Sequence, residues 1–209
     1  MKREEYLLNP CNASALPFWK ENSVIVPKHM LVVRDDQFSL AMRKEYRDEP
    51  YFKMIHDLSG ILRQHVPAGY QLIKGEIKDY VQHIADCYTQ ERISEAELAA
   101  YQKRPTYHAN LWLALADGTT GQIAASGIAE VDREMGEGIL EWIQVSPEYR
   151  KRGLGEYVVK ELLYRMKDIA NFATVSGRLL NPTKPERLYE LCGFGSKVVW
   201  HILVEQMPK

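Results

Sequence analysis

Cysteine is scarce in this chain: three among 209 residues, Cys11, Cys87 and Cys192, with no Cys-x-x-Cys pair. An odd number at wide spacing supplies neither a disulfide framework nor a zinc-ligand set. No uninterrupted apolar run is long enough to span a bilayer, and the start Met-Lys-Arg-Glu-Glu lacks the apolar centre of a signal peptide. Both absences point to the cytoplasm and away from a membrane partner. Charge of one sign is missing too: 27 basic residues face 28 acidic ones, for a formal net charge of -1 and a pI near 6.6. Nucleic acid is therefore not expected as a partner. What the chain has is apolar substance, 45% of its residues in 24.1 kDa, enough for one substantial core and an appendage.

Two unequal parts are expected, an N-terminal extension over 1–67 packed on a main domain over 68–209. The first mixes turn residues (Asn9-Pro10, Pro17, Pro27) with a strand-like run at Met30–Val33 and a mixed helical stretch from Glu49 to Arg63. Its aromatic residues, among them Tyr6, Phe18, Trp19, Phe38, Tyr51 and Phe52, are too many for a disordered tail. In the second, Tyr70–Lys74 reads as a strand and Ile77–Tyr88 as a helix with Ile77, Tyr80, Val81, Ile84 and Cys87 on one side. Ser94 with Glu97 forms a capping box for the next helix. Leu111–Ala116 and Ile123–Val131 read as strands around the turn Asp117-Gly118. A strand at Thr174–Gly177, a short helix ending at Leu191 and closing strands over Val198–Val204 complete an α/β layout.

The most informative stretch joins the apolar strand Gly138–Val145 to a helix through Val145-Ser-Pro-Glu-Tyr-Arg-Lys-Arg-Gly-Leu-Gly155. Pro147 ends the strand. Leu154, Val158, Val159, Leu162, Leu163 and Met166 recur at helical spacing, so a helix begins near Gly153 with its first N–H groups unpaired. Those donors and the positive end of the helix dipole attract an anion. Gly153 and Gly155 keep Cβ atoms out of the way, and Arg150, Lys151 and Arg152 add positive charge. The turn is suited to a phosphate.

At these residues the chain resembles the acyl-CoA-dependent N-acetyltransferases of the GNAT superfamily, whose Arg/Gln-x-x-Gly-x-Gly/Ala signature appears as Arg150-Lys-Arg-Gly153-Leu-Gly155. Leu188-Tyr189-Glu190-Leu191-Cys192-Gly193-Phe194 resembles the family's second signature, Leu-Tyr-x-x-x-Gly-Phe. The resemblance implies an α/β GNAT fold, a mixed central sheet flanked by helices, with acetyl-CoA as acyl donor. It implies that the signature strand splays at a bulge, so that backbone groups of Ile143, Gln144 and Val145 meet the thioester and pantetheine, while Arg150, Lys151, Arg152, Gly153, Leu154 and Gly155 hold the pyrophosphate. Tyr189 matches a tyrosine that protonates the departing thiolate. Asn181 resembles the asparagine that holds the pantetheine amide, eight residues before Tyr189 where seven is usual.

Acetyl transfer to an amine needs an oxyanion donor, a proton acceptor and an acid, and no metal. Glu137 and Glu141, four apart on one strand, should share a face with Ile139, Ile143 and Val145. A carboxylate in such surroundings is costly without a partner or a task, and the base is expected to be Glu141, with Glu137 second. Both could instead line a cleft. Acidic residues Glu91, Glu95, Glu97, Glu130, Asp132, Glu134 and Glu137 would attract a cationic amine or merely be solvated. The expected partners are acetyl-CoA and a small amine, acting on a monomer or homodimer; the rival readings are a silent CoA-binding module and an interaction protein on the same scaffold.

Overall fold

A computed structural model describes residues 1–21, 23–89 and 91–206. In chain order the helices are α1 (Arg3–Leu8), α2 (Pro10–Ala13), α3 (Phe18–Glu21), α4 (Ile77–Cys87), α5 (Glu95–Tyr101), α6 (Leu154–Met166) and α7 (Pro185–Leu191). The strands are β1 (Met30–Arg34), β2 (Tyr46–His56), β3 (Tyr70–Ile73), β4 (Trp112–Asp117), β5 (Ile123–Asp132), β6 (Glu137–Val145), β7 (Phe172–Arg178) and β8 (Gly195–Glu205). The architecture is mixed α/β, as the sequence implies. The chain divides into two compact units, one from Met1–His56 and Thr174–Lys209, the other from Asp57–Ala173.

In the first unit β8 lies between β1 and β2, antiparallel to both, and β7 follows β2. The helical stretch expected over Glu49–Arg63 is not formed: residues 46–56 are strand β2, paired with β8 from Tyr46 opposite Glu205 to Ile55 opposite Gly195. Phe52, Lys53 and Met54 are buried in succession, so no polar/apolar alternation marks the strand. The closing strands expected at Val198–Val204 are one long strand.

Lys53 is 1% exposed, and its Nζ donates to Tyr6 Oη at 3.0 Å and to the carbonyls of Ser14 at 3.0 Å and Leu16 at 2.7 Å. The N-terminal segment is thereby pinned to β2. On β8, His201 meets Asp48 Oδ1 through Nδ1 at 2.8 Å and Asp35 Oδ1 through Nε2 at 3.0 Å, with Phe38 stacked on the ring at 3.8 Å.

In the second unit the strands run β6-β5-β4-β3, each pair antiparallel. Helix α6 covers one face so closely that a Cβ at Gly127 would lie 2.6 Å from Val158 Cγ1, and one at Gly138 would lie 2.6 Å from Met166 Sδ. Only glycine permits this approach. The other face carries α4 and α5, whose Tyr80, Ile84 and Leu98 form a core with Ala114 and Ile128. Trp112 and Trp142 both stand opposite Ile128, on its face, and pack against that core. The capping box of α5 forms as expected, Glu97 N donating to Ser94 Oγ and Ser94 N to Glu97 Oε2.

The register of β5 with β6 slips once. Ile128 pairs with Trp142 and Ala129 with Leu140, so Glu141 stands opposite nothing, the extra residue of a β-bulge. Strand alternation is therefore reset at 141. Glu137 and Ile139 share the α4/α5 face with Trp142 and Gln144, whereas Ile143 and Val145 face α6. The single face expected for Glu137, Glu141, Ile139, Ile143 and Val145 does not exist, because pure alternation cannot register an inserted residue.

Candidate functional site

Beyond β6, Ser146 N donates to the Ala124 carbonyl, Pro147–Tyr149 form a short 3-10 turn, and the chain then visits the left-handed region twice, at Lys151 (φ 61°) and Gly153 (φ 77°). A positive φ at a lysine is strained, and such outliers collect at functional positions. Arg150, just before them, is extended, so the turn is irregular. Gly153 caps α6, and Tyr157 N donates to the Gly153 carbonyl; the amides of Leu154, Gly155 and Glu156 have no acceptor within the helix. Nothing lies within 4 Å of where a Gly153 Cβ would be, so the approach is open. Beside it, Gln64, His65, Pro67, Gly153, Glu156, Tyr157 and Lys160 line a depression of about 150 Å³.

The three basic residues have different tasks. Arg152, though exposed, donates to the Glu148 carbonyl at 2.9 Å and Tyr70 Oη at 3.3 Å with its guanidinium 5.1 Å from the Tyr149 ring, so it braces the turn. Arg150 Nε reaches back to the Val145 carbonyl at 3.3 Å. Lys151 is exposed.

Ile143, Gln144 and Val145 stand opposite Gly127, Ser126 and Ala125. Tyr88, at the end of α4, donates its hydroxyl to the Ile143 carbonyl at 3.0 Å, and burial pushes its phenol far up from the usual range. Below it His83, 4% exposed, meets Ser126 Oγ through Nδ1 at 2.8 Å and Ser146 Oγ through Nε2 at 2.9 Å. Burial lowers the imidazole to about 4, opposed by Asp86 and Glu148, so it is neutral at physiological pH. Cys87 is pushed up to about 11 by burial and is no nucleophile.

The two candidate bases differ in access. Glu141 is partly exposed at the bulge, whereas Glu137, opposite Asp132, is 0% exposed. Much of the acidic cluster is structural: Glu130 pairs with Arg104 at 3.1 Å, and Asp132 Oδ1 accepts from the amides of Glu134 and Met135. Over α5, Arg92, Ile93, Glu97, Ala100, Tyr101 and Arg104 line a hollow of about 380 Å³.

Tyr189 and Asn181 belong to the first unit. Tyr189 is 7% exposed, its ring 6.1 Å from Phe52 and 5.7 Å from Phe194. Asn181 Oδ1 accepts from Thr183 N and Oγ1 in a local turn. The second unit thus brings together Glu141, Ile143–Val145 and 150–155. Sequence reasoning assigned no place in this site to His83, Tyr88, Ser126 or Ser146, which fasten that region. His83 lies three residues after Tyr80 on the buried stripe of α4, the one visible signal for it. Among the described residues no group of three His, Cys, Asp or Glu side chains is placed to hold a metal, and no helix is long and apolar enough to cross a membrane.

Residues 107–195 match the acetyltransferase (GNAT) domain family. No curated protein matches the chain. Among solved structures, a GCN5-related N-acetyltransferase from Sphaerobacter thermophilus superposes with a TM-score of 0.68 at 15% identity over 91% of this chain and 65% of its own. A putative GNAT-family acetyltransferase from Novosphingobium aromaticivorans gives 0.55 at 16% identity over 88% and 71%. The ribosomal-protein-S18-alanine N-acetyltransferase of Escherichia coli gives 0.52 at 19% identity over 67% and 97%. At these identities the likeness is one of fold, and the chain spans less than two thirds of the Sphaerobacter protein.

Proposed function

We propose that this chain, whose residues 107–195 form a GNAT acetyltransferase domain on a GNAT fold, transfers the acetyl group of acetyl-CoA to a small amine by direct attack in a ternary complex. The observation that carries the reading is the left-handed turn at Lys151 and Gly153 opening α6, which leaves the first amides of the helix open to an anion. The pyrophosphate goes to residues 150–155 and the thioester to the backbone of Ile143–Val145. Glu141 takes the ammonium proton, because a carboxylate as buried as Glu137 has no access to a diffusing amine. The amine nitrogen bonds to the acetyl carbon, the carbon–sulfur bond breaks, the thiolate receives the proton of Tyr189, and the second proton shed by the new amide nitrogen restores the phenol. Asn181, its carbonyl held by Thr183, keeps its amide group for the pantetheine. A small acceptor fits the size of the hollow over α5, which shares Ile93 and Tyr101 with the cluster around Trp142. The cytoplasm, where acetyl-CoA is made and used, is the matching compartment.

The test is thermal. Acetyl-CoA should raise the melting temperature, since a ligand that binds only the folded state stabilises it. Gly153→Val should abolish the rise, costing about 1–2 kcal/mol of stability for its left-handed backbone. A wild-type protein that shows no rise, or a variant that keeps it, overturns the reading. A panel of amines assayed for thiol release then identifies the acceptor, and failure with every amine favours the silent CoA-binding module.

A further inference from the structure

The hydroxyl of Ser146 donates to the Ile123 carbonyl at 2.9 Å. With its single proton so placed, Ser146 Oγ can only accept from His83, and the imidazole proton must sit on Nε2. Nδ1 is then a lone pair and accepts the hydroxyl proton of Ser126, whose oxygen in turn accepts from Gln144 Nε2 at 2.5 Å. Reversing the Gln144 amide, whose Oε1 has no partner among the described residues, would claim the Ser126 proton and leave one His83 nitrogen facing a lone pair as long as Ser146 keeps Ile123. With the Ser146 hydroxyl on Ile123, the network has one proton order, and it runs from β6 through β5 and α4 to the first residue after β6.

We propose that His83 is a positioning residue: as a neutral imidazole protonated on Nε2, it holds Ser146 and thereby the path of the chain from the end of β6 into the turn that opens α6. Three observations agree on this. Ser146 is fixed three ways, by its own amide on Ala124, its hydroxyl on Ile123 and the ring of His83. The turn it leads into is strained at Lys151 and needs an external restraint. The charged groups near the ring, Asp86 on α4 and Glu148 in the turn, favour a proton, yet burial outweighs them, so the order persists through the neutral range. The bearing on acetyl-CoA rests on the function proposed above; the bearing on the backbone does not.

The experiment has three readouts on the full chain. Imidazole ¹⁵N shifts should show Nε2 protonated and Nδ1 bare from pH 8 to pH 5. Amide exchange over residues 144–152 without ligand should quicken by about tenfold in Ser146→Ala and His83→Ala, as expected for a lost hydrogen bond, and CoA should bind about tenfold more weakly. His83→Gln, whose amide can donate to Ser146 while its carbonyl accepts from Ser126, should stay within about threefold of wild type on both. Should His83→Ala fail to fold, Ser146→Ala, which removes one hydroxyl, carries the test. Unchanged exchange and affinity in Ser146→Ala, or a ring titrating like an exposed histidine, overturns the proposal. If the wild-type protein binds no CoA, the proposed function falls, and the exchange and ¹⁵N readouts still decide the role of His83.

Discussion

Each unit of this protein buries a histidine with both ring nitrogens engaged, and the two are used in opposite ways. His83, in the second unit, lies between two serine hydroxyls, which both donate and accept, so a neutral ring satisfies the whole set. His201, in the first, lies between Asp48 and Asp35, which as carboxylates only accept. Asp48 is further held by Arg43 at 2.8 Å. Lys53 repeats the pattern, a cation sunk among oxygens. The first unit is fastened by charge and the second by neutral hydrogen bonds. The lesson is that two buried rings can be satisfied by different partner sets, hydroxyls in one unit and carboxylates in the other.

The sharpest way to break this contrast is Lys53→Met. Removing the ammonium leaves Tyr6 Oη and two carbonyls facing an apolar chain, and the expected loss is about 4 kcal/mol by denaturant unfolding. Amide exchange should place the loss in α1 and β2 and leave β4 to β6 as they were. A loss spread evenly over both units would mean that they do not answer separately to their anchors.

Acid separates the units next. In the unfolded chain His83 titrates near 6.5, in the folded chain near 4. A folded value below the unfolded one means that the unfolded state takes up the proton first as pH falls. Stability is therefore full above about pH 6.5 and is lost as pH falls toward 4, by up to about 3 kcal/mol. His83→Gln should lack that part of the acid limb. If its stability profile between pH 6.5 and 4 matches wild type, the ring is not neutral and buried as described.

A smaller effect compares the units in turnover. Glu141→Gln in the second and Tyr189→Phe in the first should each slow the maximal rate by about tenfold or more. Tyr189→Phe keeps its ring between Phe52 and Phe194 and should cost under about 1.5 kcal/mol of stability. An unchanged rate in either variant removes that residue from the proposed chemistry.

The second unit was the more legible from sequence. Helices α4, α5 and α6 announce themselves by stripe and cap, and β4, β5 and β6 by apolar runs between turn residues. The turn at 150–155 was readable because glycine, a basic triplet and a helix start coincide. The first unit hid its main strand: β2 contains Pro50 and buries Phe52, Lys53 and Met54 together, so neither alternation nor propensity marked it. Nor could spacing show that residues 1–56 join with the C-terminal segment, since β1 and β2 find their common partner β8 more than a hundred residues later. The His83 network was illegible for another reason. Its four side chains come from three separate elements and the residue after β6, and only folding brings them together.

The bulge at Glu141 makes β6 a strand with two reading frames. The bulge sets those frames: were residue 141 drawn into regular pairing, Trp142 and Gln144 would be re-addressed to the α6 side and Ile143 and Val145 to the side of α4 and α5. A bulky indole would then compete for the space that Gly127 leaves to Val158, and Gln144 would lose Ser126. Deleting Glu141 would instead leave Leu140 and Trp142 adjacent on the alternating faces they already occupy, so its loss removes a carboxylate and a kink and re-addresses nothing.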